Sequence, residues 1–414
     1  MEAAQIRRSF PVFTQDPSLV YLDNAATSQK PQSVIDRLVQ YYTFENANIH
    51  RGNYPLSNRA SKLYEDSKQT VCNWLDAEDK EEIVYTKGST EAINLVAAVL
   101  REQIKPGDNI VTTELEHSSN YFPWKELCEK TGADFRVAKA KKDGILDPAA
   151  VLELMDEHTK LLAITGMSNA IGFQPDLKQL IPAAHEKGAL VLVDGTQLVV
   201  HKKVSVRKLD CDFLSFSSHK LYGPMGLGVL YGKKKILESL PPFLFGGDMV
   251  MRGDGDRLVY RKDSQKFEAG TQNLAAAMGL KAVMDFLNEN QFEELIEKER
   301  IRAVFENSLE YNEKVHQGFL EFVQRAGIEA KRILGVGISL PGIIDKEHET
   351  LIISHILRLK NVSLKNLSRL FEYEVCYEND ANSAAMVEMY RLEKNAVYLS
   401  LSNSVGGAFY IHNG

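Results

Sequence analysis

The stretch DFLSFSSHKLYGPMG, from Asp212 to Gly226, places a lysine directly after a histidine at a point where the chain bends. The apolar run at its start predicts a buried strand, and the Gly-Pro pair predicts a turn close behind it. Lys220 therefore stands near a strand end, where a partly desolvated amine loses proton affinity and can attack a carbonyl carbon. An ordinary solvated lysine in a turn is the alternative.

Short apolar runs recur on both sides of this stretch and predict a sheet. DNIVTTE, KLLAITG, ALVLVDG, DFLSFS and GVLYG each read as a strand, and the middle runs are apolar on both faces, as in a largely parallel sheet covered by helices. Helical patterns such as STEAINLVAAVLREQ and LKQLIPAAHEKG lie between them, the second closed by Gly188. The alternation predicts α/β organisation from about Tyr21 to Leu287, with ligands bound at strand ends.

Composition and charge limit the classes of partner. The 414 residues allow more than one domain, and a formal net charge of -7 argues against a nucleic-acid or membrane-surface role. The sequence contains neither a secretory-type apolar core near its start nor an apolar run long enough to span a bilayer. Four cysteines without Cys-x-x-Cys spacing indicate reduced thiols, so we expect a cytoplasmic protein without a metal centre.

Polar side chains follow the other predicted strands. Asp194 ends ALVLVDG and could keep a pyridinium nitrogen protonated, or could simply begin an Asp-Gly turn. Gln197 and Asn169 could each donate a hydrogen bond to a ring oxygen. His117, in ELEHSSN, could stack on an aromatic ring or be a histidine satisfied by nearby hydrogen bonds.

A phosphate seat is predicted where TKGSTEAIN begins a helix. Free backbone N–H groups and the hydroxyls of Ser89 and Thr90 could bind a phosphate there, although a plain helix N-cap is the alternative. Ser217 and His219 could hold the same phosphate close to the lysine. Pyridoxal phosphate would use this whole set, because it needs a Schiff-base lysine, an acid, a stacking partner and a phosphate cup.

Eight motifs together resemble the SUF-type cysteine desulfurases, which are pyridoxal-phosphate enzymes of the class V aminotransferase family. They are VYLDNAATSQKP, NANIHRG, GSTEAINLVA, EHSSNYFPW, VDGTQ, SFSSHKLYGPMGLGVLYG, PPFLFGGDM and KFEAGTQN. The resemblance extends from the N-terminus to about residue 290. It implies a fold type I large domain over residues 1–300, with a mostly parallel sheet and helices on both faces.

The resemblance also implies a role for each candidate residue at the ring. Lys220 would hold the cofactor as an internal aldimine and later move protons. His117 would stack on the ring and assist proton transfer, and Asp194 would pair with the pyridine nitrogen. Asn169 and Gln197 would contact the phenolic oxygen.

Further implications concern the phosphate, the substrate and the partners. The residues implied to hold the phosphate are Ser89, Thr90, Ser217 and His219. Thr271 would reach the phosphate of a neighbouring subunit, which implies a homodimer. The implied reaction releases sulfur from L-cysteine as an enzyme persulfide, yields L-alanine and passes sulfur to a SUF-type acceptor for iron–sulfur cluster assembly.

One family feature has no counterpart in this sequence. The family carries its nucleophilic cysteine on a loop of the form Arg-x-Gly-His-His-Cys in a C-terminal domain, which also supplies an arginine that clamps the substrate carboxylate. Cys72 and Cys128 lie in helical patterns and Cys211 precedes a strand, so all three read as small buried apolar groups. We therefore expect cofactor binding with weak or absent turnover.

The segment from about Phe305 to Gly414 resembles the repressor–ORF–kinase family of sugar kinases and repressors. The likeness rests on RILGVGISLPGIID, YEVCYENDANSAAMVEM and NAVYLSLSNSVGGAFYIHNG. It implies a partial actin-like ATPase α/β segment over residues 301–414, in place of the usual small domain. Asp380 would match the kinase base, Asn379 would help bind a sugar, and SVGGAF would form a glycine-rich turn near a nucleotide phosphate.

This second resemblance leaves two alternatives to a desulfurase-like enzyme. The family's opening Asp-x-Gly-x-Thr loop and its later Glu-x-Gly-His and zinc motifs are absent from the sequence, so we expect no sugar phosphorylation. A sugar-responsive regulatory protein is one alternative, supported by the ENDAN stretch alone. A non-functional chimera of two truncated proteins, with its junction near residue 300, is the other.

Overall fold

The structure is a computed structural model. It describes residues 3–17, 19, 21, 23–50, 52–141, 145–254 and 257–293, and then the segments 316–317, 319–320, 323–324, 335–340, 343–345, 348–354, 359–365, 369–371, 374–379, 396–401 and 405–410. The predicted domain junction near residue 300 lies outside these residues and stays a prediction.

A seven-stranded sheet forms the centre of the N-terminal part. Its strands are β1 (Ile83–Thr86), β2 (Asn109–Thr113), β3 (Asp134–Ala138), β4 (Thr159–Thr165), β5 (Leu190–Asp194), β6 (Phe213–Ser217) and β7 (Gly228–Gly232). They pair in the order β1-β7-β6-β5-β4-β2-β3. Strands β2 to β6 pair in parallel, whereas β7 runs antiparallel to both β6 and β1. The carboxyl ends of β1, β2, β4, β5 and β6 therefore lie along one edge.

Helices cover both faces of this sheet, as predicted. They are α1 (Ala3–Arg7), α2 (Pro11–Gln15), α3 (Gln32–Gln40), α4 (Pro55–Trp74), α5 (Ser89–Leu100), α6 (Phe122–Thr131), α7 (Pro148–Leu152), α8 (Leu177–Glu186), α9 (Leu198–His201), α10 (Val206–Leu209), α11 (Lys234–Ser239) and α12 (Leu274–Glu289). Single turns of 3₁₀ helix include Ser118–Asn120, Ser218–Lys220 and Ser264–Phe267.

Two hydrophobic cores lie on opposite faces of the sheet, because successive strand residues point to opposite sides. In β5, Val191 and Val193 join the core shared with α3, α4, α8 and α12. Leu192, between them, joins the core shared with α5, α6 and α11. Burial of both faces explains why the middle strands read as continuous apolar runs.

The C-terminal part contributes strands to two further sheets. The strands are β10 (Gly335–Leu340), β11 (Ile343–Asp345), β12 (Thr350–Ser354), β13 (Leu359–Ser363), β14 (Glu374–Asn379), β15 (Ala396–Leu401) and β16 (Val405–Tyr410), after a hairpin of β8 (Val250–Asp254) and β9 (Arg257–Tyr260). One sheet has the order β14-β10-β15-β16, and the other β11-β12-β13. β10 pairs in parallel with β14 and β15, and β16 is antiparallel to β15.

All five predicted strands of the N-terminal part are present, and one prediction for the C-terminal part is wrong. The glycines of SVGGAF lie in β16, where Gly406 and Gly407 pair with Ser400 and Leu399, and do not form a turn. These glycines are extended because β16 pairs antiparallel with β15 along its whole length. Asn379 ends β14, and Asp380 lies outside the described residues.

Candidate active site at the carboxyl edge of the sheet

A cavity of about 240 Å³ opens where the strands end. Nine of the ten predicted cofactor residues line it, namely Ser89, Thr90, His117, Asn169, Asp194, Gln197, Ser217, His219 and Lys220. The sequence interpretation missed four further lining residues, which are Ser119, Thr165, Met167 and Thr196. Each of the four lies within a few residues of a predicted site residue or at a strand end, and this position in the sequence could have identified it as a lining residue.

Lys220 ends the single 3₁₀ turn Ser218–Lys220, which follows β6 without a break. Burial lowers the pKa of its amine, and the negative charges of Asp194 and Asp23 partly oppose this shift. Burial also lowers the pKa of His219, helped by the charges of Lys220 and Lys30. A lysine with reduced proton affinity beside a carboxylate meets the requirement for a carbonyl nucleophile.

Asp194 is the last residue of β5 and pairs in register with Ser215 of β6. Its side chain is buried, and its Oδ1 accepts the Thr196 N–H at 3.0 Å. Gln197 follows on the same loop, and its Nε2 donates to the Ala25 carbonyl at 3.0 Å. The carboxylate and the amide are therefore held on one wall of the cavity that Lys220 also lines.

His117 stands at the start of the turn Ser118–Asn120, after β2. Its Nδ1 accepts the Ser119 N–H at 3.2 Å, an arrangement that assigns the proton of a neutral ring to Nε2. The Ser119 hydroxyl lies 3.0 Å from this Nδ1 and 2.8 Å from the Thr90 hydroxyl. One chain of hydrogen bonds thus joins the histidine to the first turn of α5.

The predicted phosphate seat lies where α5 meets the end of β6. The Ser89 N–H donates to the Ser217 Oγ at 2.9 Å, and the Ser89 hydroxyl lies 2.8 Å from the Ser215 hydroxyl. The start of α5 can lie this close to the sheet because Gly228 on the neighbouring strand β7 has no side chain: a Cβ there would lie 2.4 Å from the Gly88 backbone. Helix N-terminal N–H groups and clustered hydroxyls favour an anion.

The polar groups of the cavity fit a phosphorylated pyridine ring. Thr196 is buried, and its Oγ1 has no hydrogen-bond partner among the described residues, so it is available to a polar ligand. The cavity also brings an amine, a carboxylate and two imidazoles together with the hydroxyl groups of Ser89, Thr90 and Ser217. Each of these groups matches one part of pyridoxal phosphate.

Thr271 is the one predicted cofactor residue outside this cavity. It is exposed, in the loop between the turn Ser264–Phe267 and α12. Its predicted contact with a neighbouring subunit stays a prediction.

The three cysteines whose side chains the structure describes are structural. Cys72, Cys128 and Cys211 are free and buried, and they do not line the cavity. Burial raises the pKa of the Cys72 and Cys128 thiols to about 11 and raises that of Cys211 further. Because the thiolate is the nucleophile, raised pKa values and burial disfavour reaction at these thiols. Cys376 lies in β14, and its side chain is outside the described residues.

Fold and cavity together define a fold type I transferase of the pyridoxal-phosphate class. The chain belongs to the class V aminotransferase family, whose model matches residues 20–316. Membership of this family implies pyridoxal phosphate as the cofactor, as the sequence predicted. Within the family its relatives are cysteine desulfurases: the cysteine desulfurase of Pectobacterium atrosepticum is 43% identical over 288 residues, which cover 68% of this chain and 71% of that protein.

Solved structures give the same result. The cysteine desulfurase CsdA of Escherichia coli is 39% identical, with a TM-score of 0.65 over 70% of this chain and 72% of that one. The cysteine desulfurase of Thermococcus onnurineus NA1 is 32% identical, with a TM-score of 0.69 over 80% of this chain and 78% of that one. The predicted fold class and enzyme class are confirmed.

The C-terminal resemblance is also confirmed. The model of the ROK family matches residues 278–414, and its match overlaps that of the aminotransferase model. An actin-like α/β segment therefore follows the aminotransferase fold. Among the described residues, no helix is both long enough and apolar enough to cross a membrane.

Proposed function

We propose that this chain binds pyridoxal phosphate in the cavity at the carboxyl edge of the seven-stranded sheet, with Lys220 as its covalent anchor. The observation that carries the proposal is that Lys220, Asp194 and the start of α5 line one cavity of about 240 Å³. When bound, this cofactor supplies an aldehyde that condenses with amines and a ring that withdraws electrons. Asp194 would offer its carboxylate to the ring nitrogen, and the lowered pKa of Lys220 favours its free amine.

The other lining residues have positioning roles in this proposal. Because the Nδ1 of His117 accepts the Ser119 N–H, His117 would offer its Nε2–H to the bound cofactor. Asn169 and Gln197 would donate to the phenolic oxygen of the bound cofactor. Its phosphate would be held by Ser89, Thr90, Ser217 and His219.

The proposed substrate is L-cysteine, since the relatives are named cysteine desulfurases. Full desulfuration needs a thiolate nucleophile and a carboxylate clamp. The described lining residues include neither a cysteine nor an arginine, and the three described thiols are buried. We therefore propose weak or absent turnover in a cytoplasmic homodimer, with Thr271 at the neighbouring site and a SUF-type acceptor if sulfur is released.

A reduction experiment tests the anchor. Purified full-length protein is treated with borohydride in the presence of pyridoxal phosphate, digested and mapped by mass spectrometry. We expect loss of the visible absorption band and a cofactor mass increment on Lys220, with no increment in Lys220→Ala. Lys178→Ala, which changes an exposed lysine on α8, serves as the matched control. An increment that remains in Lys220→Ala, or that maps to another lysine in the wild type, contradicts the proposal.

A second experiment tests turnover separately. L-Cysteine is added to the loaded protein, and alanine and sulfide are measured over time. We expect amounts close to those of Lys220→Ala. Rapid, stoichiometric release of both products would overturn the proposed weak turnover and leave the cofactor site intact.

Sugar binding by the C-terminal segment is a second candidate function. It is supported by the ROK-family match and by the position of Asn379, which ends β14 beside β10 in a parallel pair, where ligands commonly bind. The test is thermal unfolding of the full chain with and without millimolar hexoses. A sugar-dependent rise in any unfolding midpoint supports sugar binding. If no tested hexose raises a midpoint, this candidate function is excluded.

A further inference from the structure

Residues 25–30, which we name the N-terminal strap, contact two loops of the candidate site, one after β5 and one after β6. The Ala25 carbonyl accepts the Gln197 amide, and the Ser28 Oγ accepts the Tyr222 N–H at 2.7 Å. The strap is separated from these partners by 172 and 194 positions in the sequence. Its contacts are therefore long-range tertiary contacts with the site.

The strongest contact of the strap is with one carbonyl oxygen, that of His219. Four donors converge on it: the Ser28 N–H at 3.0 Å, the Ser28 hydroxyl at 2.9 Å, the Lys30 amine at 3.2 Å and the Thr27 hydroxyl at 3.3 Å. The Thr27 hydroxyl also lies 3.1 Å from Nδ1 of the His219 ring. A carbonyl oxygen has two lone pairs, so these four donors share one saturated acceptor.

The turn that carries Lys220 needs such external support. It is a single 3₁₀ turn, Ser218–Lys220, and short 3₁₀ turns have weak internal hydrogen bonding. Its own bonds hold the Ser218 carbonyl, which accepts the N–H groups of Leu221 and Gly223 at 2.9 and 3.0 Å. The next carbonyl, that of His219, is held by the strap. This peptide unit leads directly into Lys220.

Lys30 adds charge to this arrangement. Its amine also donates to the Ser28 carbonyl, so it links two points of the same region. Half-burial lowers the pKa of Lys30 to about 8, and the amine is mainly charged at neutral pH. Hydrogen bonds from a charged donor are roughly twice as strong as neutral ones.

We propose that Thr27, Ser28 and Lys30 are positioning residues that hold the His219 carbonyl and thereby keep the Lys220 amine inside the cofactor cavity. The proposal rests on the proposed function for its biological meaning. It concerns the geometry of the chain itself, so it can be tested without catalysis. When the His219 carbonyl loses these hydrogen bonds, the turn Ser218–Lys220 is free to move and the Lys220 amine becomes more exposed to water.

The test measures the reactivity of Lys220 in the full chain freed of cofactor. Reductive methylation with formaldehyde and cyanoborohydride is followed at each lysine by mass spectrometry over a range of pH. We expect the midpoint pH of Lys220 labelling to lie below that of the exposed Lys178 in the wild type. In Ser28→Ala and Lys30→Met it rises by about one pH unit, which is a tenfold change in free amine at neutral pH.

The variants distinguish the loss of a hydrogen bond from the loss of a positive charge and from a loss of stability. Ser28→Ala removes a donor without changing charge, whereas Lys30→Met removes a donor and a cation whose charge also acts on His219. Lys30→Arg keeps both properties and should restore the wild-type midpoint. Lys178→Met is the control, and the thermal midpoint of every variant is measured alongside.

The outcomes distinguish this proposal from the proposed function. An unchanged Lys220 midpoint in Ser28→Ala and Lys30→Met overturns the positioning role, even where thermal stability falls. If either variant fails to unfold cooperatively, Thr27→Val, which removes only a hydroxyl donor, takes its place. If the wild type forms no borohydride-stable cofactor adduct, the proposed function fails while the labelling result still decides the role of the strap.

Discussion

Lys68 and Glu268 form a buried ion pair whose disruption should be costly. Lys68 Nζ lies 2.9 Å from Glu268 Oε2, and the two side chains are only 3% and 2% exposed. Glu268 also accepts the Tyr64 hydroxyl at 2.8 Å and the Tyr85 N–H at 2.6 Å, while Lys68 donates to the Ser264 hydroxyl at 2.9 Å. The pair thereby joins α4, β1 and the loop that precedes α12.

Replacing one partner leaves the other charge buried without compensation. For Lys68→Met we expect a loss of about 3–5 kcal/mol in the free energy of unfolding, the range found when one member of a buried pair is removed. At roughly 2 °C per kcal/mol for a domain of this size, the unfolding midpoint should fall by roughly 6–10 °C. Glu268→Gln should lose a similar amount, because Tyr64 and the Tyr85 N–H also lose a charged acceptor.

Chemical denaturation of the single and double variants is the assay. Lys68→Met/Glu268→Gln should be less destabilised than the sum of the two single changes, because neither buried charge is then left alone. Lys125→Met is the matched control: its pair with Glu129 spans 3.8 Å with both side chains more than half exposed, so the change should stay below about 1 kcal/mol. Additive losses in the double variant, or a Lys68→Met loss no larger than the control, would refute the reasoning.

Three further predictions concern a carboxyl, a glycine and the thiols. Burial raises the pKa of Glu116 from 4.5 to about 8, so folding takes up a proton between these pH values. As pH rises through this window, the stability of the wild type relative to Glu116→Gln should fall by up to about 1.4 kcal/mol per pH unit. The same pH dependence of stability in both proteins would contradict this prediction. Gly228→Ala should displace the Gly88 backbone and weaken pyridoxal-phosphate affinity by about 1–3 kcal/mol, measured by equilibrium dialysis, and an unchanged Kd would count against the close approach. Cys72 and Cys128 should resist a thiol reagent at pH 7.5 until the protein unfolds, as mapped by mass spectrometry; labelling of the native protein would show that they are accessible.

Much of the N-terminal fold could be predicted from the sequence because burial leaves a pattern. ALVLVDG and DFLSFS became β5 and β6, since strands covered on both faces must be apolar throughout. The closing glycine of α8 was also visible: Gly188 has a φ of +75°, a conformation that glycine adopts readily. β3 was not predicted, because this edge strand is half exposed and lacks a continuous apolar run.

The site could be predicted only as far as strand ends can be located. Asp194 and Lys220 were identified because each follows a recognisable strand, and the structure brings both to one cavity. The contact of Ser28 with His219 could not be predicted, because a hydrogen bond between residues 191 positions apart leaves no local pattern. The strand β16 was misjudged for a related reason: its two glycines suggest a turn, and pairing with β15 overrides that preference.

The position of the strap has a consequence for how the molecule is made. Thr27 leaves the ribosome 192 residues ahead of His219, which at 5–20 residues per second corresponds to roughly 10–40 s of synthesis. Throughout that interval the His219 carbonyl, which accepts the four hydrogen bonds of the strap, is absent from the nascent chain. The turn Ser218–Lys220 can gain these hydrogen bonds only after translation has passed β6, so this side of the cavity forms late, when an early part of the chain meets a part made long after it.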